Sequence, residues 1–249
     1  MKVNLFFFIS NFNYGGAGNA ILSFLKNLDR SKFAVSIFFL NNSSYKNDIP
    51  KDVKIFQLKT KAPIFKTFFS FFKIKKILIK ESFGKKKNIF ISNIHFSNIL
   101  SIFFLRKIDK LKIFLFERTS IKELDIYLSF ISFLKNKFIK FLIKFLYLKA
   151  DLVISNSLTG KKEFSEIGIS SKTVFSGSIK KIYKKKIFRK NKIFKIISVG
   201  RLTEQKNHFL LINSLKYVIC KNFRLFIYGD GKLKNKLTKK IFKNQLNAK

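Results

Sequence analysis

The segment Ser198-Val199-Gly200-Arg201-Leu202-Thr203-Glu204-Gln205-Lys206-Asn207 decides the fold, because it joins a short apolar run to an amphipathic one through a glycine. Ile193 to Val199 reads as a strand, and His208 to Val218 reads as a helix. A strand that turns at a glycine toward a helix brings backbone N–H groups and two cations, Arg201 and Lys206, around one anion-sized space. Arg grips phosphate oxygens bidentately and Lys adds a point charge, so a diphosphate suits these residues. Neutralising charge on a departing diphosphate is work that two such cations perform without a metal.

The same grammar extends in both directions. Downstream, Arg224 to Tyr228 reads as a strand that ends in Gly229-Asp230-Gly231, followed by a Lys-rich helix to the end of the chain. Upstream, the expected strands are Val3 to Ile9, Ala34 to Leu40, Val53 to Leu58, Asn88 to Ile91, Lys112 to Phe116, Leu152 to Ser155 and Thr173 to Ser176. Helical patterns alternate with them at Gly18 to Leu28, Phe65 to Lys80, Asn98 to Arg106, Leu124 to Leu148 and Leu158 to Glu166. Short apolar strands alternating with helices predict an α/β protein with a parallel sheet covered on both faces. From Gly177 to Lys192 the chain is Lys-rich without a period, as in an exposed linker. The expected organisation is a Rossmann-like domain over 1–176, a linker over 177–192 and a second domain over 193–249.

Composition narrows the function classes. With 47% apolar residues in 249, the chain can bury a core and is not expected to be disordered. The formal charge of +39 attracts polyanions, yet 46 of the 52 basic residues are Lys and only six are Arg, scattered along the chain. Readers of base edges favour Arg, so no specific nucleic-acid partner is expected. The single Cys220 excludes an internal disulfide, and with only His95 and His208 a Cys/His metal site is not expected. Met1 to Ile9 has no small-residue cleavage site and reads as a strand rather than a secretory signal, which together with the cysteine usage suggests a cytoplasmic protein. The stretch Leu124 to Leu148 carries Lys137, Lys140 and Lys144 on one narrow stripe beside an apolar arc of Phe138, Phe141, Leu142, Phe145 and Leu146. Two readings of it stand: peripheral contact with an anionic membrane, or a buried helix whose lysines reach solvent.

A second glycine cluster, Tyr14-Gly15-Gly16-Ala17-Gly18, lies between the first strand and the first helix. It lacks the G-x-G-x-x-G dinucleotide pattern and its downstream acidic residue, so it is either a tight turn or a close approach to an anionic ligand.

Taken in order, Tyr14 to Gly18, Ala150-Asp151-Leu152-Val153-Ile154-Ser155-Asn156-Ser157, Ile197 to Asn207 and Ile227-Tyr228-Gly229-Asp230-Gly231-Lys232-Leu233 resemble segments of the family-4 retaining glycosyltransferases of GT-B fold. Glu117-Arg118-Thr119 is similar to an acidic-basic pair of such enzymes. The resemblance implies two Rossmann-like domains with parallel sheets, and transfer of a sugar from a nucleotide-diphosphate donor to a glycan or lipid-linked acceptor with retained configuration. It implies no cofactor and no metal. It assigns the donor diphosphate to Arg201 and Lys206 with Gly15 and Gly16 approaching it, and the nucleoside to Gly229 and Gly231. His95 and Glu117 become candidate catalytic residues, His95 against the donor sugar, and Arg118 with Glu117 faces the acceptor. His95 also reads as a structural residue at a helix start, and Glu117 with Arg118 as a loop ion pair.

The chain departs from the family pattern in two places. Ser176-Gly177-Ser178 stands where many relatives have an Asn-Pro turn. From Ile193 only about sixty residues follow, where a complete domain takes roughly 100 or more, so the second domain is expected to be incomplete and the chain catalytically weak or dead. The rival expectations are a non-catalytic remnant or binding subunit, and a basic membrane-associated protein.

Overall fold

The computed structural model describes residues 2–58, 66–81, 87–127, 129–175, 193–218 and 222–243. The expected linker 177–192, with Ser176 and Cys220, lies outside the described residues. The chain divides into two compact units, Met1–Lys181 and Ile182–Lys249.

In the first unit, seven strands form one parallel sheet: β1 (Val3–Phe8), β2 (Phe33–Phe39), β3 (Lys54–Gln57), β4 (Asn88–Asn93), β5 (Leu111–Glu117), β6 (Leu152–Ser155) and β7 (Lys172–Thr173). Their order is β3-β2-β1-β4-β5-β6-β7. Helices α1 (Gly16–Asn27), α2 (Lys66–Glu81), α3 (His95–Leu105), α4 (Phe130–Leu146) and α5 (Leu158–Glu166) alternate with them in the chain. The strand order reverses between β1 and β4, where an open α/β sheet leaves a crevice at the carboxyl ends of its strands.

Strand β1 shows why the sheet is central. Phe6 and Phe8 enter one core cluster with Phe38, Phe90 and Leu115, while Leu5, Phe7 and Ile9 enter another with Ile21, Leu25 and Ile37. Successive side chains of a strand point to opposite faces, so an uninterrupted apolar run is stable only where both faces are covered. Each fully buried Phe contributes about 2–3 kcal/mol. Phe8 also meets Phe71 of α2 edge to face at 5.1 Å.

In the second unit, β8 (Phe194–Val199) and β9 (Phe223–Tyr228) pair in parallel. Helices α6 (His208–Ser214) and α7 (Lys234–Lys243) accompany them, with a core of Leu202, Ile212, Leu215, Leu225, Leu233 and Leu237. Phe194, Ile197, Val199 and Tyr228 are exposed.

Three local differences from the sequence expectations matter. Helix α3 starts at His95, three residues early, after Ile94 in a left-handed conformation at φ 77°. The stretch 124–148 is not one helix: a 3-10 turn over Ile121–Asp125 precedes α4, and another over Tyr147–Lys149 follows it. Ser129 restarts the helix through a reciprocal cap, its Oγ accepting from Ser132 N at 3.2 Å while Ser132 Oγ accepts from Ser129 N at 3.0 Å. The apolar arc of α4 also divides. Leu142 and Leu146 pack on the core with Ile139 and Ile143, whereas Phe138, Phe141 and Phe145 are exposed.

Candidate active site

In the first unit the candidate residues gather at the carboxyl ends of β1, β4 and β5. Asn93, the last residue of β4, ties the three together: its Nδ2 donates to Phe8 O at 3.0 Å, and its Oδ1 accepts from Arg118 Nε at 3.0 Å. Ile94 follows in a region sparsely populated by β-branched residues, at a cost on the order of 1–3 kcal/mol, and leads into His95. The His95 side chain is 12% exposed, with Nδ1 2.9 Å from Glu117 Oε2. Its Nε2 lies 2.9 Å from Thr119 Oγ1.

Glu117 is 1% exposed and belongs to the protein interior. Its Oε1 accepts from Asn98 Nδ2 at 2.6 Å and from the hydroxyl of Tyr147, itself fully buried. This differs from the expectation that Glu117 meets the acceptor: the carboxylate is turned inward onto His95, Asn98 and Tyr147. Burial lowers the affinity of His95 for its proton, but the Glu117 carboxylate, with the charge of Glu123 behind it, outweighs burial and leaves the pKa raised. Burial, followed by the Glu117 charge, raises the pKa of the Tyr147 phenol well above its ordinary value.

Arg118 is half-buried, its guanidinium 4.1 Å from the centre of the Phe116 ring. Burial pushes its pKa down to about 10, against the opposing charge of Glu117. The loop carrying it is braced from β6 and α5. Asn156 Nδ2 donates to Arg118 O at 3.2 Å, and Ser120 Oγ donates to both Glu163 oxygens at 2.7 and 2.8 Å.

The glycines after β1 have separate tasks. Gly15 adopts φ 151°, which L side chains rarely do. A Cβ at Gly18 would lie 2.4 Å from Asn13 O and 2.7 Å from the Tyr45 ring, so Gly18 serves packing. A Cβ at Gly16 would meet nothing within 4 Å. Gly16 is exposed at the first turn of α1, whose N-terminus has no acidic residue and no side-chain cap.

In the second unit the loops leaving β8 and β9 are joined by backbone hydrogen bonds: Gly200 N to Tyr228 O at 2.9 Å, Leu202 N to Asp230 O at 2.9 Å and Leu233 N to Leu202 O at 3.1 Å. A Cβ at Gly229 would lie 1.9 Å from Gly200 O, and one at Gly231 would lie 2.5 Å from Leu202 O. Both glycines therefore let the two loops touch. Buried Leu202 pins the loop, while its neighbour Arg201 and nearby Lys206 are exposed. The Lys206 stem lies beside Gly200, 3.6 Å from where a Cβ would stand. Among the described residues neither cation is in an ion pair. Asn207, at φ 46°, caps α6 by accepting from Leu210 N at 3.3 Å. His208, the first residue of α6, is buried, with Nδ1 3.4 Å from Ser198 Oγ.

The chain matches no protein-family model. It is similar to an uncharacterized glycosyltransferase of Methanocaldococcus jannaschii, 36% identical over 131 aligned residues, with 46% of this chain and 31% of the relative covered. The match thus spans about a third of that relative's length. Among solved structures, the lipopolysaccharide outer core galactosyltransferase WaaB in its apo form is similar at TM-score 0.66 and 17% identity, over 99% of this chain and 66% of that one. HepE of Anabaena, in complex with UDP and glucose, is similar at TM-score 0.67 and 14% identity, over 98% and 68%. The catalytic domain of starch synthase IV from Arabidopsis thaliana, bound to ADP and acarbose, is similar at TM-score 0.58 and 10% identity, over 100% and 73%. The fold is that of the GT-B glycosyltransferases, an α/β architecture built on parallel sheets.

Proposed function

We propose that this chain is a glycosyltransferase that moves a sugar from a nucleotide-diphosphate donor to a hydroxyl of a glycan or lipid-linked acceptor, with retention of configuration. The observation that carries the proposal is the loop after β8. It presents two exposed cations, Arg201 and Lys206, at the carboxyl end of a parallel strand and holds them by the contacts of Gly200, Leu202 and Gly229. Support also comes from the relatives: HepE holds UDP and glucose, starch synthase IV holds ADP and acarbose, and the archaeal relative is named a glycosyltransferase.

In this proposal Arg201 and Lys206 neutralise the leaving diphosphate as the bond to the anomeric carbon breaks, in place of a metal. Gly15 and Gly16 leave the N-terminus of α1 open to a phosphate, and Gly229 and Gly231 shape the nucleoside wall. His95 meets the donor sugar, which replaces the Thr119 hydroxyl at Nε2. Glu117 acts through His95 as a positioning residue. Arg118 faces the acceptor.

Transfer from a panel of nucleotide sugars to glycan and lipid-linked acceptors, with the anomeric configuration of the product read by NMR, tests this function. A retained configuration and a loss of turnover in Arg201→Ala are expected. An inverted product overturns the stereochemical assignment, and turnover unaffected by Arg201→Ala overturns the assignment of the diphosphate.

A further inference from the structure

The outward side of α4 is apolar where a solvent-facing helix is ordinarily polar. Phe130, Ile131, Leu134, Phe138, Phe141 and Phe145 are all exposed, from 51% to 78%. From Ile131 onward their spacing alternates three and four residues, which keeps them on one stripe along the helix. The helix already has a core side, where Ile139, Leu142, Ile143 and Leu146 pack, so the stripe is a second apolar face. At 100° per residue, Lys137 and Lys144 border the stripe on one side and Lys135 on the other, and all three are exposed. Helix α4 itself contains no acidic residue.

Charge complementarity selects the occupant. In a chain of formal charge +39, lysines on both sides of an apolar stripe repel a second copy of the same surface. An anionic lipid surface satisfies both features at once, phosphates for the lysines and the acyl boundary for the rings. Among the described residues no helix is long and apolar enough to cross a membrane, so α4 would lie in the plane of the surface. We infer that α4 seats the first unit on an anionic bilayer, with its six outward apolar side chains at the acyl boundary and Lys135, Lys137 and Lys144 on headgroup phosphates. The inference is independent of the proposed sugar transfer and survives its failure.

Bulk charge alone draws this chain to anionic vesicles, so the test separates the stripe from the charge. The full chain is sedimented with vesicles of phosphatidylglycerol and phosphatidylcholine, and with phosphatidylcholine alone. The variant Ile131→Asn/Phe138→Asn/Phe145→Asn keeps every charge and changes only exposed positions. Binding to the anionic vesicles that persists at raised salt, and falls about tenfold or more in the variant at unchanged circular dichroism, is the expected result. Equal binding by the variant, or no binding by the parent chain, overturns the inference. So does a lipid-free dimer that the same variant abolishes, because the stripe is then an interface between copies. The chain has no Trp, so Phe138→Trp gives an unambiguous second readout. Its emission is expected to shift to the blue on vesicles and to be quenched by brominated acyl chains. Emission that stays at its solvent position on vesicle-bound protein overturns the inference even if the triple variant does not fold.

Discussion

A carboxylate buried as deeply as Glu117 is costly unless it is partnered: Asn98 and Tyr147 donate to its Oε1, and the His95 ring stands 2.9 Å from Oε2 as its ion-pair partner. His95 binds its proton more tightly folded than unfolded, because the Glu117 and Glu123 charges outweigh burial. Such a group adds stability that is fully present below the ordinary value of 6.5 and is lost as pH rises through the folded pKa. In Glu117→Gln the carboxylate's contribution disappears while burial remains. The His95 midpoint is therefore expected to fall from above 6.5 to below it, and proton NMR of a chain with only two histidines reads the change directly. Tyr147→Phe removes a hydrogen bond to a charged group and is expected to cost about 2 kcal/mol in urea unfolding. A cost near zero would mean that the hydroxyl does not hold Glu117. Of this network, the sequence shows His95 and Glu117-Arg118-Thr119 as candidates. Asn98, at i+3 from His95 on α3, was findable by helical spacing once the helix start was placed. Tyr147, 30 positions beyond Glu117, has no local signal, because the sheet order alone brings it there.

At the scale of elements, the glycines separate what holds the loops from what meets a ligand. Gly229→Ala would drive a Cβ to 1.9 Å from Gly200 O and force the β8 and β9 loops apart. A loss of about 3 kcal/mol in the second unit is expected, read by hydrogen exchange at Leu202 and Leu233, whose N–H groups join the loops. Gly16→Ala meets open space, so its effect on stability is expected within about 0.5 kcal/mol while nucleotide binding weakens. A destabilised Gly16→Ala would place that glycine with Gly18 in packing.

The central strands of the first unit were legible because both faces of the sheet are buried there, which turns β1 into an apolar run, Val3 to Ile9. Ends were less legible. Ser129 and Ser132 make a cap without the Glu or Gln that usually marks one, so the break before α4 was hidden inside an apolar pattern. The left-handed Ile94 likewise offers no sequence cue, since β-branched residues avoid that region.

At the scale of the whole molecule, charge is the confounding variable. A chain of +39 binds anions of many kinds, so affinity for a nucleotide alone proves little. Locality is the discriminating property, because Arg201→Ala/Lys206→Ala removes two of 52 basic residues and leaves the general field almost unchanged. Each charge-assisted contact to a diphosphate is worth about 1.5–3 kcal/mol, or roughly tenfold or more in affinity. Calorimetric titration of the chain with UDP and ADP, beside the double variant at the same ionic strength, is the most direct test that the β8 loop is a diphosphate site. Saturable binding of at least one nucleotide, lost by about a hundredfold in the variant, is expected. Binding that the variant leaves unchanged, or none by the parent chain, would contradict the assignment.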